Sequence, residues 1–269
     1  MKLAPWTRIS LRTIALTYLG VLLVLPLIII FWRTFERGVG AFIDSVTTPA
    51  AQSALQLSLL IVAIVVPINV VFGVLTALAL VRGKFPGRNL VQGLVDLPFA
   101  VSPVVVGVSL IMLWGAHGWF GGLENHGLKV IFNLPGMVLA TIFVTLPFVV
   151  REVEPVLHEI GDDQEQAAAT LGASRWQTFW RITLPAIRWG LTYGIVLTVA
   201  RALGEFGAVI MVSTALPGKS QTLTLLVHGR YTNDHNTFGA YCAATLLMGI
   251  ALIVLLLMTL LERKRGTAK

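Results

Sequence analysis

The sequence predicts an all-α membrane protein with six transmembrane helices. Of its 269 residues, 56% are hydrophobic and only 12% are charged, which is about half the charged fraction of a usual soluble domain. The apolar residues come in runs close to 20 residues long, enough to cross a hydrocarbon core of about 30 Å as a helix. Composition and run length together predict a chain that crosses a membrane several times.

The six predicted spans differ in length and in their flanking residues. The fourth span is short, and we expect it to recruit residues on either side. The first span follows three basic residues, as in a signal peptide, but its apolar stretch is longer and no cleavage site follows, so we expect it to be retained. The spans are predicted over residues 13–32, 55–81, 97–114, 136–150, 191–212 and 238–261.

The distribution of Lys and Arg predicts the orientation. The N-terminus, the loops 82–96 and 151–190 and the C-terminal tail hold 14 of the 20 basic residues, whereas the three opposite loops hold five. Because basic residues are enriched on the cytoplasmic side, both termini are expected there. The chain then divides into a cytoplasmic N-terminus (1–12), a six-span domain (13–261) and a basic cytoplasmic tail (262–269). This topology also accounts for the net charge of +7, so nucleic acid is not predicted as a partner.

A polar segment, "EQAAATLGASRWQTFWRITLP", separates the fourth and fifth spans. Acidic residues before its alanines favour a helix N-terminus, and Gly172 is expected to end that helix. A second short helix is predicted from Ser174, as its N-cap, to Ile182. Leu184-Pro185 is then expected to turn the chain back to the membrane. The segment is either a solvated connector whose aromatic residues rest on headgroups, or a docking surface for another protein.

The spacing within this segment resembles the coupling-loop signature of ABC importer permeases. Three residues separate Gln166-Ala167-Ala168 from Gly172, and nine more precede Ile182. In that family the loop docks on a cytoplasmic ATPase, so the resemblance implies a type I (MetI-like) permease fold and a coupling role for the loop 164–185, within a polar region of about 153–185. The family signature usually has Glu at the position that Gln166 occupies in this sequence, and here Glu165 directly precedes it. The residues assigned to ATPase coupling are Glu165, Gln166, Ala167, Ala168, Gly172, Ile182, Leu184 and Pro185.

Two further stretches place unusual residues in the third and fifth spans. "DLPFAVSPVVVG" brings Pro98 and Pro103, with Ser102 beside them, into the bilayer, where they are expected to interrupt a helix. "RALGEFGAVIMVS" places Arg201 and Glu205 four residues apart in the fifth span. These charges form either a structural ion pair on one helix face or a gate on the path of an anion. The spacing alone does not separate the two interpretations.

Both stretches resemble the sulfate/thiosulfate permeases of ABC importers, in particular the second of their two non-identical permease subunits. The resemblance covers roughly residues 55–261 and implies a bacterial inner-membrane location. It also implies a second related permease, a cytoplasmic ATPase dimer that binds the ATP, a periplasmic sulfate-binding protein, and a chain that is itself non-catalytic and without a cofactor. The molybdate/tungstate permeases share the coupling loop but differ around Ala100-Val101-Ser102, and they are the alternative. A secondary anion transporter is a third candidate, although the sequence shows no inverted repeat.

Other motifs do not predict a second activity. "STALPGKS" lacks the first glycine of a phosphate-binding loop and follows a membrane span. The five histidines show no metal-ligand spacing, no nucleophile motif occurs, and the single cysteine, Cys242, excludes an internal disulfide. Gly190 and Gly194 form a G-x-x-x-G pair that is expected to pack within one subunit.

Overall fold

The protein is built from helices. The computed structural model describes residues 5–122, 127 and 129–266, and no strand occurs among them. Two π-helical segments, Gly20–Val24 and Phe179–Thr183, lie between α-helices. The α-helices are α1 (Pro5–Leu19), α2 (Leu25–Phe35), α3 (Gly38–Val46), α4 (Pro49–Arg82), α5 (Arg88–Ala100), α6 (Pro103–Trp114), α7 (Leu134–Ile160), α8 (Asp163–Thr170), α9 (Arg175–Thr178), α10 (Leu184–Leu203), α11 (Gly207–Val212), α12 (Leu223–Thr232) and α13 (Thr237–Gly266).

Five helical stretches are long and apolar enough to cross a membrane, and a bent pair supplies a sixth. In that pair α5 and α6 meet at an angle of 113°. With the pair counted as one broken span, the prediction of an all-α chain with six spans is confirmed. The other five stretches are Ser10–Phe35, Pro49–Arg82, Leu134–Ile160, Arg175–Leu203 and Thr237–Leu256.

The fourth span extends well beyond its predicted end at residue 150. α7 continues to Ile160 and contains acidic residues that were assigned to the following loop. Val153 and Leu157 remain fully buried in this extension, because they continue the three-to-four-residue spacing of the apolar face. The span therefore recruits flanking residues, as expected, and the polar region predicted from about residue 153 begins only after Ile160.

The core forms where α7 packs between α4 and α10, and glycines set the distances between these helices. A Cβ placed on Gly73 of α4 would lie 2.7 Å from the Cβ of Val149, and one placed on Gly190 of α10 would lie 2.5 Å from the carbonyl oxygen of Glu152. At Gly194 the nearest atom would be the Cα of Val149, at 3.0 Å. The G-x-x-x-G pair therefore packs against a helix of its own chain, where small residues let backbones approach.

Buried polar side chains connect helices that are distant in sequence. Asn69 of α4 donates through Nδ2 to Oγ1 of Thr145 on α7 at 2.6 Å. Thr34 and Thr245 join α2 to α13, with 2.7 Å between their hydroxyl oxygens. Because these groups lie away from water, leaving either partner unpaired would cost about 1–3 kcal/mol. These bonds fix the register of the spans.

The buried Arg230 of α12 hydrogen-bonds to three neighbouring segments at one end of the bundle. Its guanidinium donates to the carbonyl oxygens of Ser45 and Gly239, at 3.1 and 3.0 Å, and to Oγ1 of Thr48 at 2.9 Å. Burial lowers the pKa of Arg230 from its ordinary value, but an arginine remains charged at any physiological pH. The arginine joins α3, α4, α12 and α13 at this end.

The close contact at Gly190 gives a direct test of the packing. We expect Gly190→Val to destabilise the chain by about 1–3 kcal/mol, because the added side chain meets the backbone of α7 and cannot be accommodated without shifting a helix. The thermal midpoint should fall by roughly 2–12 °C, measured by fluorescence-detected size exclusion in detergent. Gly249→Val is the matched control, since a Cβ on Gly249 meets nothing within 4 Å. Equal midpoints for the two variants would contradict the packing.

Candidate functional site

The segment between α7 and α10 begins with a short helix that ends in a tight turn. After α8, Gly172 has a φ of +82°. Its N–H donates to the carbonyl of Ala169, and the N–H of Ala173 donates to that of Ala168, both at 3.0 Å. These two bonds form a Schellman motif, which needs a left-handed residue at the position of Gly172 and so favours glycine. The structure thus ends the helix where the sequence predicted.

The second helix of the segment begins as predicted but does not end there. Ser174 caps it, since Oγ accepts the N–H of Gln177 at 3.3 Å while the N–H of Ser174 donates to Oε1 of Gln177 at 2.9 Å. The helix then runs without a break from Arg175 to Leu203. The expected turn at Leu184-Pro185 was wrong, because the π-helical segment before Pro185 widens the helix and accommodates a residue that lacks an N–H.

Glu165 points inward and ties α8 to two membrane helices. Its Oε2 accepts a bond from Nε of Arg82, at the end of α4, at 3.2 Å. Its Oε1 accepts a bond from Oγ1 of Thr183, just before α10, at 2.9 Å. Arg82 also donates to the carbonyl of Leu157 on α7 at 3.3 Å. The sequence analysis did not single out Arg82, which it placed in the loop 82–96, or Thr183, which lay within the predicted coupling loop, because no local pattern links either residue to Glu165.

The residues predicted to contact an ATPase divide between two faces. Ala168 is buried, whereas Gln166, Ala167 and Gly172 are exposed. Leu171, next to Gly172, is 88% exposed, and Trp176 is 70% exposed with its ring centroid 5.5 Å from that of Trp180. The last three predicted residues lie within the helical stretch that leads into the membrane. Of these, Ile182 and Leu184 are half-buried and Pro185 is exposed. The exposed face is apolar at its centre, as in a protein interface.

The two interrupted spans meet at their breaks. α5 ends at Ala100, and α6 starts at Pro103 with Ser102 exposed beside it. A Cβ placed on Gly207, the first residue of α11, would lie 3.1 Å from the Cβ of Pro103. Pro98 lies inside α5 rather than at the break, so its predicted role as an interrupting residue was wrong. Pro98 removes one backbone hydrogen bond of α5, and the helix continues for two more residues before it ends at Ala100.

The fifth span is also broken, and the charged pair lies at the break. α10 ends at Leu203, so Glu205 lies outside a regular helix rather than one turn along it, as had been expected. Nη1 of Arg201 nevertheless lies 2.7 Å from Oε2 of Glu205. The other carboxylate oxygen accepts the N–H of Ala208 at 2.8 Å, and the carbonyl of Glu205 accepts a bond from Oγ1 of Thr224, also at 2.8 Å.

Burial differs sharply between the two charges. Glu205 is 2% exposed, whereas the side chain of Arg201 is 33% exposed. A buried carboxylate is stable only when it is paired and hydrogen-bonded, and Glu205 meets that condition through Arg201 and Ala208. The contacts of Glu205 stabilise the helix break. The side chain of Arg201 remains partly accessible.

Across the described ranges, 5–122, 127 and 129–266, no group of three His, Cys, Asp or Glu side chains could hold a metal ion. Cys242 is buried, and His126 lies outside the described residues. The "STALPGKS" stretch forms a loop after α11, in which Oγ of Ser213 caps the N–H of Ala215 at 2.9 Å.

The sequence and the fold both match transport proteins. The chain is 49% identical to the sulfate transport system permease protein CysW of Synechococcus elongatus, covering 96% of this chain and 90% of that protein. It is 45% identical to CysW of Escherichia coli K12, with 96% and 88% covered. The fold matches a bacterial alginate ABC transporter, solved in complex with an alginate pentasaccharide-bound periplasmic protein, with a TM-score of 0.81, 19% identity and 96% and 94% of the two chains covered.

The family described as "Binding-protein-dependent transport system inner membrane component" matches residues 69–267, which include the coupling loop and both broken spans. The chain therefore belongs to this family of multi-pass membrane permeases.

Proposed function

We propose that the chain is the permease subunit of an ATP-driven, binding-protein-dependent importer for sulfate or thiosulfate. The observation that carries the proposal is the 49% identity to a sulfate permease over 96% of the chain. The matched length includes the whole transmembrane domain, so the similarity is not limited to the coupling loop. The breaks at Ser102 and at Glu205, which lie on the proposed path of the anion, fall within the matched length.

The chain contributes the membrane path and requires partners for energy and for substrate capture. In the proposed complex it pairs with a second related permease, a cytoplasmic ATPase dimer hydrolyses the ATP, and a periplasmic protein delivers the anion. The chain itself binds no nucleotide or cofactor and catalyses no reaction. The loop 164–185 supports this assignment, because its exposed apolar face suits an interface with another protein.

The contacts of Glu165 suggest how the loop transmits force. In the proposed complex, the ATPase binds the exposed face around Leu171 and Trp176, and its movement displaces α8. Because Glu165 binds Arg82 and Thr183 at once, the displacement passes to α4 and to α10. The carboxylate thus acts within the chain, while Gln166 faces outward and offers hydrogen bonds without charge.

The proposed location is a bacterial inner membrane, with the loop 164–185 and both termini in the cytoplasm. Basic residues support this orientation, since 14 of 20 fall on the proposed inner side. Molybdate or tungstate is the alternative cargo, because it is also a tetrahedral dianion.

Uptake of labelled sulfate into vesicles tests the proposed function. The vesicles contain this chain, the second permease and the ATPase, with the binding protein added outside. We expect uptake to require ATP and the binding protein and to be inhibited only weakly by molybdate. Strong inhibition by trace molybdate would assign the chain to molybdate import, and uptake by the chain alone without ATP would indicate a secondary transporter.

The turn at Gly172 should be required for coupling. Gly172→Leu places a side chain at a left-handed position, which costs about 1–2 kcal/mol, and distorts the surface presented to the ATPase. We expect ATP hydrolysis to persist while sulfate uptake falls, with the thermal midpoint lowered by no more than about 2–8 °C. Gly172→Asn is the matched control, because Asn adopts this conformation more readily. Normal uptake by the Leu variant would rule out a coupling role for this loop.

A double-mutant cycle tests the inward contact of Glu165. Arg82→Ala and Glu165→Ala should each lower the sulfate transported per ATP, and the double variant should be little worse than either one. The expected interaction energy from thermal or chemical unfolding is about 0.5–3 kcal/mol, since the two side chains touch directly. Gln166→Ala is the control for the outward face. Additive effects of Arg82→Ala and Glu165→Ala would show that the ion pair does not couple these helices.

A further inference from the structure

The Arg201 guanidinium has hydrogen-bonding capacity that its own chain does not use. A guanidinium carries five N–H donors in a planar fork. Arg201 has one charged partner, Glu205, and Oε2 of that carboxylate is left without a well-aligned hydrogen bond although Nη1 lies 2.7 Å away. Among the described residues no other acceptor is bonded by Arg201. The pair is therefore held mainly by charge, and donors of the guanidinium remain available.

The position of Arg201 makes these unused donors costly unless a polar ligand or water reaches them. The residue lies near the end of a membrane-spanning stretch, Arg175–Leu203, where charged side chains normally face a water-filled path. One-third of its side chain is exposed, whereas Glu205 is almost completely buried. The accessible charged group at this site is therefore the positive guanidinium of Arg201.

Glu205 is held by contacts that are independent of Arg201. The N–H of Ala208 and the hydroxyl of Thr224 fix its side chain and its backbone. Gly207, two residues after Glu205, packs on Pro103 at the break of the third span. Glu205 therefore serves as a rigid counter-charge that holds the guanidinium in place beside both helix breaks.

We infer that Arg201 is a binding site for a tetrahedral oxyanion on its way through the permease, and that Glu205 is its positioning residue. This inference rests on the proposed import function. A guanidinium fork matches two oxygens of such an anion. The nearby carboxylate offsets part of the positive charge, so the anion binds weakly enough to leave again, as conduction requires.

A cysteine substitution tests the charge requirement directly. The chain has one cysteine, Cys242, which is fully buried, so Arg201→Cys in a Cys242→Ala background introduces the accessible thiol. We expect sulfate transported per ATP to fall about tenfold, the equivalent of one hydrogen bond to a charged group. Modification with a trimethylammonium-ethyl methanethiosulfonate should restore a large part of this loss, and the sulfonatoethyl reagent should not. The same complex with Arg201 intact, treated with both reagents, is the control.

Two outcomes would overturn the site. One is an Arg201→Cys complex that transports as much sulfate per ATP as the unsubstituted complex. The other is an equal effect of the cationic and anionic reagents. An unsubstituted complex that takes up no sulfate would instead contradict the proposed function, so the two failures are distinguishable.

Two further variants keep the inference testable if Arg201→Cys does not fold. Arg201→Lys retains the charge but not the planar fork, so transport per ATP should lie between that of the unsubstituted complex and that of Arg201→Cys. Glu205→Gln retains an acceptor for the N–H of Ala208 but removes the counter-charge, so the anion should be held longer and transport per ATP should fall without loss of thermal stability. If Arg201→Lys loses transport and thermal stability together, the pair is structural and the inference is wrong.

Discussion

The close contact of α10 with α7 is the constraint on which both candidate sites depend. At Gly190 and Gly194 the backbone of one helix lies against the other, with no room for a Cβ at Gly190. In a bilayer, association of helices relies on such packing and on interhelical hydrogen bonds, because lipid tails are as apolar as the side chains. The contact fixes α10 along α7, and α10 is the helix that leads from the coupling loop to Glu205.

This geometry connects the loop and the break through one rigid element. The helical stretch from Arg175 to Leu203 begins at the exposed aromatic surface and ends two residues before Glu205. The two sites lie at opposite ends of a helix that the α7 contact keeps from sliding freely. In the proposed mechanism, a displacement imposed at the loop would reach the charged break through α10, because no break in the helix lies between them.

Two carboxylates that pair with arginines have different roles because their surroundings differ. Glu165 lies at the edge of the bundle, with its side chain 22% exposed, and joins Arg82 and Thr183 across helices. Glu205 lies in the interior, where it caps a helix start and faces a more exposed Arg201. The first pair connects α8 with the ends of two membrane helices, and the second places a partly exposed arginine beside a buried carboxylate. Neither role follows from the residue types alone.

The sequence by itself determined the all-α class, the number of spans and the helix end at Gly172, because each depends on local composition or on residues a few positions apart. It also identified Arg201 and Glu205, since charges inside an apolar run stand out. The tertiary structure alone decided that Glu165 turns inward to Arg82, 83 positions away, that Pro185 continues a helix, and that the breaks at Ser102 and Glu205 lie side by side. These depend on contacts between distant segments, and the physical reason is that packing, not local propensity, sets where a side chain in a membrane bundle points.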